Sequence, residues 1–261
     1  MNEQVRYNHG IIEAKWLNKW EQEPSDPGVK VQVRLIPKKE AKLDLENARL
    51  LLLSHFLAMV VAGKEPCLSV VGASEVWLEE ARCLGLQFGT EADTEGVVEV
   101  LPRDYVEKRT RDKEASQSYL CGRLLGTQGM YLHDLLPDFG VDAFRVYFFA
   151  LGPFERDYRF NWHGLAGAHR FLSRFWQLAQ TGLEEADHPM PLPEQLLELQ
   201  KTVEARLRKR KPHTALAAIM GYLNAHSTLT RDEVRVLAEL LKPFTPFLSA
   251  ELSDLVATVE D

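Results

Sequence analysis

The stretch from Val31 to Ile36, VQVRLI, alternates apolar and polar residues and predicts a β-strand. A polar loop separates it from a Leu-rich segment that begins near Leu45 and predicts a helix. The pattern then repeats, with a strand at CLSVVG from Cys67, a helix at ASEVWLEEARCLGL from Ala73 and a strand at GVVEVL from Gly96. Because strands that alternate with helices usually pair in parallel, this region predicts an α/β fold with a parallel sheet.

Helical patterns flank this region on both sides. The segment GIIEAKWLNKW, Gly10–Trp20, has apolar and Trp residues at helical spacing and predicts a helix that docks on something larger. After about residue 130 no strand pattern recurs, and Thr230 with Glu233 predicts a capping box for the helix RDEVRVLAELL. We therefore predict an α/β domain followed by an all-helical bundle, with the boundary near Pro153.

The helix that follows Ala73 is predicted to bury one face. The residues of that face are Val76, Trp77, Ala81 and Leu84. The three cysteines, Cys67, Cys83 and Cys121, lie far apart in segments typical of buried strand or helix. Their spacing matches neither a metal site nor a redox motif, so we expect reduced cysteines that serve in packing, and no metal.

Composition narrows the class of protein. A chain of 261 residues with 45% hydrophobic and 26% charged residues is typical of a globular protein. Its 31 Lys and Arg against 38 Asp and Glu give a net charge of −7, so contact with nucleic acid requires a local basic patch. The chain lacks an apolar signal segment and any apolar run long enough to span a bilayer, which predicts a cytoplasmic location.

Four segments of the second half carry a family resemblance. They are GVDAFRVYFFALGPFERD from Gly140, GLAGAHRFLSRFWQL from Gly164, HTALAAIMGYLN from His213 and LLKPFTPFLSAEL from Leu240. In this order they resemble the class I aminoacyl-tRNA synthetases, nearest the leucyl branch, and EAKWLNKWE from Glu13 resembles the opening of that branch. One helix of this kind is typical of core packing in any bundle, but that explanation does not account for four ordered matches.

The resemblance implies a domain organisation. Residues 1–25 form a docking helix, residues 29–152 a truncated Rossmann-like domain of the catalytic type, and residues 153–261 a helical domain of the anticodon-binding type. The similarity is weakest between residues 30 and 130. The family's large editing insertion has no counterpart, so we do not expect proofreading.

The first ATP signature of this family is His-x-Gly-His or His-x-Gly-Asn. The matching stretch begins at Asp44, in place of the first histidine, and has Glu46 in place of the glycine, while Asn47, Ala48 and Arg49 keep the pattern. Asp44 is expected to cap the helix and to accept from the N–H groups that would bind phosphate. Glu46 adds bulk and negative charge, so ATP binding should weaken unless magnesium bridges these carboxylates to phosphate.

The second signature, Lys-Met-Ser-Lys-Ser, supplies a lysine that stabilises charge on pyrophosphate in the transition state. The corresponding segment CGRLLGTQGM, Cys121–Met130, contains no lysine, and Arg123 is its only cation. Arg123 is either a substitute for the lysine or a surface residue. Gly126 and Gly129 predict a flexible loop that persists without the catalytic tip.

A run of basic residues forms the strongest local charge feature. Its cations are Arg206, Arg208, Lys209, Arg210 and Lys211, and Pro212 follows directly. Because proline disfavours helix at the residue before it, the run should end one helix of the bundle. Two interpretations stay open, a solvated helix end that complements the helix dipole and a patch that binds the tRNA phosphate backbone.

The loss of both ATP signatures favours a leucyl-tRNA synthetase-like pseudoenzyme that binds tRNA or a protein and makes no adenylate. The alternative is a divergent ATP-dependent ligase that loads an amino acid onto tRNA or another acceptor and uses ATP with magnesium. A third possibility is a module that binds another protein or a second copy of itself. No catalytic residue is assigned beyond the degenerate positions Asp44, Glu46, Asn47 and Arg123.

Overall fold

The computed structural model describes residues 6–22, 30–34, 42–62, 66–71, 75–88, 98–102, 117–184 and 191–258. The chain forms two compact units. The sheet unit comprises Trp20–Asp138 and Pro153–Asn161, and the helical unit comprises Met1–Lys19, Phe139–Gly152 and Trp162–Asp261. The two units therefore interleave along the chain, and the three-part division into residues 1–25, 29–152 and 153–261 stays a prediction.

The sheet unit alternates strands and helices as the sequence pattern predicts. Its strands are β1 (Lys30–Arg34), β2 (Cys67–Val71), β3 (Gln87–Phe88), β4 (Val98–Pro102), β5 (Gln117–Cys121), β6 (Leu124–Leu125) and β7 (Tyr158–Arg159). Its helices are α2 (Leu45–Ala62), α3 (Glu75–Arg82) and α4 (Leu132–Phe139). β1, β2 and β3 are neighbours in that order, β4 pairs with β5, and β6 pairs with β7, in every case in parallel. The predicted α/β class with parallel strands is confirmed.

Four details of the sheet unit differ from the sequence prediction. Strand β5, which pairs with β4, was not predicted from the sequence. The strand expected at Gly96 is the fourth strand, because the two-residue β3 precedes it. Strand structure also recurs after residue 130, in β7, where two residues pair with β6 and are too few to give an alternating pattern. Val76 is 58% exposed, because it points about 100° away from Trp77, which starts the buried face.

Helix α2 forms the centre of the sheet unit. All nine residues from Leu50 to Ala58 are buried, including Ser54 and His55. The Ser54 hydroxyl donates to the Leu50 carbonyl at 2.7 Å, so this buried polar group is satisfied within its own helix. A helix that is apolar all round belongs in an interior, which explains why this short apolar run is a core element. Among the helices that the structure describes, none has the length and apolar character required to cross a membrane.

The helical unit contains seven helices in the described ranges. They are α1 (His9–Gln22), α5 (Val141–Ala150), α6 (Trp162–Glu184), α7 (Glu194–Arg208), α8 (Pro212–Ala225), α9 (Arg231–Leu241) and α10 (Pro246–Thr258). The predicted capping box of α9 is confirmed, because the Glu233 N–H donates to the Thr230 hydroxyl at 3.3 Å and the Thr230 N–H donates to the Glu233 carboxylate at 2.8 Å.

Helix α1 docks on α10 and α5 through polar contacts at the edge of an apolar core. The Trp16 indole donates to Glu251 at 2.7 Å, and Lys15 forms ion pairs with Glu251 and Asp254 at 2.7 and 2.9 Å. Trp16 itself is buried, so this end of α1 combines apolar burial with satisfied polar groups. The contacts explain why the Trp residues of the opening segment lie at helical spacing.

Two carboxylates join the helices of this unit, the half-buried Glu13 between α1 and α5 and the buried Asp142 between α5 and α10. The Val141 N–H, at the start of α5, donates to Glu13 at 2.6 Å, and the Leu248 N–H, at the start of α10, donates to Asp142 at 2.7 Å. Burial raises the pKa of Glu13 to about 8 and the pKa of Asp142 to about 7, although the hydrogen bonds from the backbone oppose both shifts. The stability of the helical unit is therefore expected to depend on pH.

Candidate functional site

The two degenerate signature stretches lie side by side in the sheet unit. The Leu45 N–H donates to the Met130 carbonyl at 3.2 Å, and the Leu132 N–H donates to the Leu43 carbonyl at 2.9 Å. An isolated antiparallel bridge joins Asp44 to Tyr131 between these two bonds. The chain before α2 is thus paired with the end of the second signature stretch. We call the surrounding residues the signature site, which consists of Asp44, Glu46, Asn47, Arg49 and Arg123.

Asp44 caps the N-terminus of α2, and this prediction is confirmed. One carboxylate oxygen accepts from the Asn47 backbone N–H at 2.9 Å, and the other accepts from the Asn47 side-chain amide at 2.9 Å. Both residues are buried, with 6% of Asp44 and 7% of Asn47 exposed. One N–H group that would otherwise be available to an anion at this helix terminus is therefore used inside the protein.

Glu46 and Arg123, one from each signature stretch, form an ion pair. The Arg123 Nε lies 3.6 Å from a Glu46 carboxylate oxygen, and both side chains are partly exposed. The Arg123 backbone is held as well, because its N–H donates to the Asp157 carboxylate at 2.8 Å. A partly exposed pair contributes about 1 kcal/mol or less to stability. The pair nevertheless orients Arg123, which is the single cation of the second signature stretch, toward the Glu46 carboxylate in the first signature stretch.

Arg49 is a member of the site that the sequence reasoning did not assign. It is 2% exposed, and its guanidinium donates to the Gly122 carbonyl at 2.6 Å and lies 5.6 Å from the centroid of the Tyr158 ring. Burial lowers the pKa of Arg49. Its Nε has no hydrogen-bond partner among the described residues. The sequence could have indicated Arg49 as a site residue, because it is the last residue of the stretch from Asn47 that keeps the family pattern.

The second signature stretch is fixed by backbone contacts. The Tyr158 N–H donates to the Arg123 carbonyl at 2.9 Å, and the Gly122 N–H donates to the Phe154 carbonyl at 2.9 Å. A Cβ atom added at Gly122 would lie 2.1 Å from the Arg156 carbonyl, so the chain packs too closely here for any side chain. The loop itself contains the positive-φ residues Gly126 and Gly129, which accounts for both glycines.

A lysine lies close to the residues that directly follow this loop, although the loop itself contains none. The Lys42 ammonium is 5.5 Å from the centroid of the Tyr131 ring, 3.2 Å from His133 Nε2 and 4.0 Å from the Asp134 carboxylate, with which it forms an ion pair. Lys42 directly precedes the segment that pairs with the end of the loop. A cation is therefore present near the second stretch, supplied by a different part of the chain.

The signature site does not fit ATP with magnesium. The Asp44 carboxylate is bonded to Asn47, and the Glu46 carboxylate is paired with Arg123, at the positions that the sequence analysis matches to the first ATP signature. Within the described ranges, no group of three or more His, Cys, Asp or Glu side chains is arranged to hold a metal ion. The charged groups of the signature site therefore bind each other and do not present hydrogen-bond donors to a triphosphate.

The basic run lies in the helical unit, at the turn between α7 and α8. Helix α7 ends at Arg208 and α8 begins at Pro212, which confirms that the run ends a helix. The Arg210 N–H donates to the Leu207 carbonyl at 2.8 Å and the Lys211 N–H donates to the Arg206 carbonyl at 2.9 Å. This pair of bonds is a Schellman motif, which satisfies the last carbonyls of α7. We call residues Arg206–Lys211 the basic turn.

The five cations of the basic turn differ in their surroundings. Arg206 is half-buried and donates to the Thr214 carbonyl at 2.6 Å, so it joins α7 to α8. Arg208 is exposed and forms an ion pair with Glu204, one turn earlier on α7. Lys209, Arg210 and Lys211 are exposed. The sequence did not distinguish these roles, because all five residues have the same charge.

Comparison with curated proteins finds leucine–tRNA ligases. The chain is 29% identical over 126 residues to the leucine–tRNA ligase of Alkaliphilus oremlandii, a match that covers 47% of this chain and 16% of the ligase. It is 27% identical over 125 residues to that of Borreliella afzelii, which covers 47% of this chain and 15% of the ligase. The match thus spans about a sixth of the length of these relatives. No family model matches the chain.

Comparison with solved structures finds synthetases of the same class. A leucyl-tRNA synthetase of Agrobacterium radiobacter K84, solved in a ternary complex with tRNA and LeuAMS, aligns with a TM-score of 0.50 and 20% identity over 61% of this chain and 27% of its own. The free form of Mycobacterium tuberculosis methionyl-tRNA synthetase aligns with a TM-score of 0.50 and 14% identity over 95% of this chain and 62% of its own.

The fold is that of a class I aminoacyl-tRNA synthetase-like protein, with parallel strands and a set of helices. The predicted resemblance to this class is confirmed. Within the class, the chain is related in sequence to the leucine–tRNA ligases, as the four ordered segments indicated.

Proposed function

We propose that this leucyl-tRNA synthetase-related protein binds tRNA through the basic turn and does not form aminoacyl-adenylate. The proposal depends mainly on the Asp44 carboxylate, which accepts from the Asn47 N–H at 2.9 Å at the N-terminus of α2. In the family that the sequence resembles, this helix terminus belongs to the first ATP signature. A cap that belongs to the protein itself competes with phosphate for the same donor.

Charge supports the loss of nucleotide binding. Two like charges about 4 Å apart repel by about 4 kcal/mol at an effective dielectric constant near 20, so a phosphate beside Glu46 is strongly disfavoured. Arg123, which has the opposite charge, is paired with Glu46 at 3.6 Å. A triphosphate would have to displace this pair before it could use the cation.

The basic turn supports the tRNA part of the proposal. Three exposed cations lie in succession from Lys209 to Lys211, on a protein with a net charge of −7. Such a local patch is what phosphate binding requires when the field of the whole molecule is repulsive. One solved structural relative is a leucyl-tRNA synthetase in a complex with tRNA, which supports a tRNA-binding role.

The first test is pyrophosphate exchange into ATP with pooled amino acids and magnesium, because it detects adenylate formation directly. We expect no exchange above the level without amino acids. Exchange that depends on an amino acid would overturn the proposal and would make Asp44, Glu46 and Arg123 targets for mutation.

The second test is tRNA binding as a function of salt. Replacing Arg208, Lys209 and Arg210 together by Ala should weaken binding and flatten the log–log salt dependence by about two to three units. An unchanged slope would exclude the basic turn as the phosphate contact. Light scattering on the same samples gives the molar mass of the protein and so distinguishes tRNA binding from self-association. A monomer that binds tRNA would show that a second copy of the chain is not required.

A divergent ATP-dependent ligase is the second candidate, and the position of Lys42 favours it. Its ammonium lies close to the residues that directly follow the loop that lacks the family's lysine. In that case Asp44 or Glu46 would hold magnesium, so nucleotide binding would require the metal and would disappear in Asp44→Ala. Nucleotide binding measured by calorimetry with and without magnesium distinguishes the two candidates.

A further inference from the structure

Three helices of the helical unit, α5, α6 and α8, line a cavity that the proposed function does not use. Its volume is about 440 Å³, which is within the range of about 300 to 1,000 Å³ that is typical of small-molecule sites. Most of its wall is apolar or small, and the larger apolar side chains of the wall are Val146, Phe171 and Met220. We call it the α6 cavity. Its wall suits the apolar body of a ligand.

Glycines of α6 make room for the α6 cavity. A Cβ atom added at Gly164 would lie 2.8 Å from Cε2 of Tyr147, so α5 and α6 approach each other closely at this point. A Cβ atom added at Gly167 would lie 3.8 Å from Nη2 of Arg170, which is an ordinary van der Waals contact. The Arg170 guanidinium therefore lies over Gly167, on the side of the cavity.

The rim of the α6 cavity is positively charged. Arg170 and Arg174 both line it, and they lie on one face of α6 because they are four residues apart. Nη2 of Arg174 donates to the Leu223 and His226 carbonyls at 3.3 and 3.0 Å, which fixes this side chain beside the C-terminus of α8. Arg170 is exposed, and no residue that the structure describes forms a hydrogen bond or ion pair with it. Its guanidinium is therefore available to a ligand.

Acidic side chains are absent from the described lining of the α6 cavity, although the protein has 38 Asp and Glu. Helix α8 contains no Asp or Glu, α5 contains Asp142, and the only acidic residue of α6 is its last, Glu184. Asp142 is fully buried and accepts from the Leu248 N–H at 2.7 Å. Glu184 follows Arg174 by ten residues, which is about 15 Å along the helix. The potential in the cavity is therefore positive on an acidic protein, and this favours an anionic ligand.

The apolar wall favours a carboxylate over a phosphate. A guanidinium can donate two parallel hydrogen bonds to either group. A phosphate monoester carries a charge of about −1.5 to −2 at pH 7, whereas a carboxylate carries a single charge. Transfer of the greater charge from water to the edge of an apolar wall costs more free energy. A molecule with one carboxylate and an apolar body therefore fits this cavity better than an organic phosphate.

Two macromolecular ligands fit the α6 cavity less well. An unpaired RNA base stacks on an exposed aromatic ring, but the aromatic residues of the lining are Tyr147, which is 3% exposed, and Phe171, which is half-buried. The C-terminal carboxylate of a peptide is usually held by a nest of backbone N–H groups. The cations of this cavity are side chains of one helix, so a free acid is the better ligand.

We propose that the α6 cavity binds a free small carboxylic acid with an apolar body. The Arg170 guanidinium binds the carboxylate, and Arg174 adds a second positive charge beside it. The Asn224 side chain is exposed on the rim and offers an amide donor. The apolar body packs against Phe171 and Met220. This proposal does not depend on tRNA binding, because none of these residues belongs to the signature site or the basic turn.

The first test is isothermal titration calorimetry of the full chain with octanoate, with octan-1-ol as the uncharged control. We expect a dissociation constant for octanoate of about 0.1 to 1 mM, which is reasonable for a ligand of this size. Octan-1-ol should bind about tenfold more weakly or not at all, because it has no charge to pair with Arg170. Equal affinities, or no binding of octanoate well above this concentration range, would overturn the proposal.

The role of Arg170 is tested with Arg170→Gln and Arg170→Lys. The affinity of Arg170→Gln for octanoate should fall about tenfold, and that of Arg170→Lys, which keeps the charge but loses the two parallel donors, should fall about threefold. The matched control is Arg235→Gln, because Arg235 is exposed on α9, pairs with Asp232 and does not line the cavity. We expect this control to stay within about twofold of the parent. Equal losses in Arg170→Gln and Arg235→Gln would mean that net charge alone governs binding.

The location of the ligand is tested with Gly167→Leu, which extends a side chain into the α6 cavity. Leucine favours a helix interior more than glycine does, so the melting temperature should not fall. The affinity for octanoate should fall at least about tenfold, because the leucine occupies the volume of the apolar body. In the control, Gly221→Leu, the added Cβ on α8 meets no atom within 4 Å and the exposed position does not line the cavity. Equal affinities in these two variants would exclude the α6 cavity as the site.

Competition experiments distinguish the free acid from macromolecular ligands. A short peptide that ends in leucine should not displace octanoate at equal concentration, whether its C-terminus is free or amidated. Displacement by the free form alone would mean that the cavity recognises a chain terminus, and the proposed ligand would be wrong. Unfractionated tRNA should leave octanoate binding unchanged, and displacement would assign the cavity to an RNA surface. Because octanoate binding is measured without RNA, a failure of the tRNA-binding function leaves this inference intact.

Discussion

The signature site and the basic turn differ in how far their charged side chains are exposed to solvent. Asp44 is 6% exposed and bonded to Asn47, and Glu46 is paired with Arg123. In the basic turn, the three residues from Lys209 to Lys211 are exposed. This difference shows that charge content alone does not define a binding site, because a ligand reaches an exposed charged group more easily than a buried one.

If the signature site stabilises the fold, a change to the backbone beside it should reduce the free energy of unfolding more than any other change proposed here. Gly122→Ala places a Cβ atom 2.1 Å from the Arg156 carbonyl, and this neighbour is backbone, which cannot move aside as easily as the end of a flexible side chain. We expect a loss of about 3 kcal/mol in the free energy of unfolding, at the upper end of overpacking effects, measured by urea denaturation. In the control, Gly129→Ala, the added Cβ meets no atom within 4 Å, so only the positive φ should cost about 1 kcal/mol.

Removal of the cap should have the next largest effect. Asp44→Ala leaves the Asn47 N–H and the Asn47 side chain without their acceptor, so the free energy of unfolding should fall by about 1 to 2 kcal/mol. Asp44→Asn keeps an acceptor oxygen and should lose less than half of that amount. An unchanged melting temperature for Asp44→Ala would contradict this expectation, because the Asp44 carboxylate would then not stabilise the folded state.

A pH titration tests whether internal charges behave in the same way in the helical unit. The folded-state pKa of Glu13 is raised from 4.5 to about 8 and that of Asp142 from 3.8 to about 7. Groups with a raised pKa contribute stability that is complete below the unfolded-state pKa and is lost as pH rises through the folded-state pKa. The free energy of unfolding should therefore fall by about 1.4 kcal/mol between about pH 7 and 8.

The control for the pH titration is Glu13→Gln, which keeps an oxygen to accept from the Val141 N–H but cannot ionise. This variant should show a flatter pH profile than the parent, with the remaining slope due to Asp142. A profile that rises over the same interval would contradict the raised pKa of both groups.

The smallest change in stability is expected at the outward-facing cations. Lys209→Ala with Lys211→Ala removes two exposed side chains, so the free energy of unfolding should stay within about 0.5 kcal/mol of the parent. The same double variant should weaken tRNA binding, because two phosphate contacts are lost. A large loss of stability would mean that these lysines are structural, like the charges of the signature site.

Much of the fold followed from sequence periodicity. The alternation in VQVRLI and CLSVVG predicted β1 and β2, and the Leu-rich run predicted α2. The two-residue strands β3, β6 and β7 could not be predicted, because they form where distant segments meet and two residues carry no period. Val76 was misassigned for a related reason, since a short apolar pattern does not fix which of two adjacent residues faces the core.

The candidate sites divide in the same way. The sequence indicated the class of the protein and the cap at Asp44, because motif spacing and helix capping are local properties, while the match to the ATP signatures stays a prediction. Only the tertiary structure placed Arg123 against Glu46, buried Arg49 against Gly122 and distinguished the five cations of the basic turn. The physical reason is that a charged side chain often pairs with a residue that is remote in sequence. The sequence shows the charge of both residues, but only the fold brings the two together.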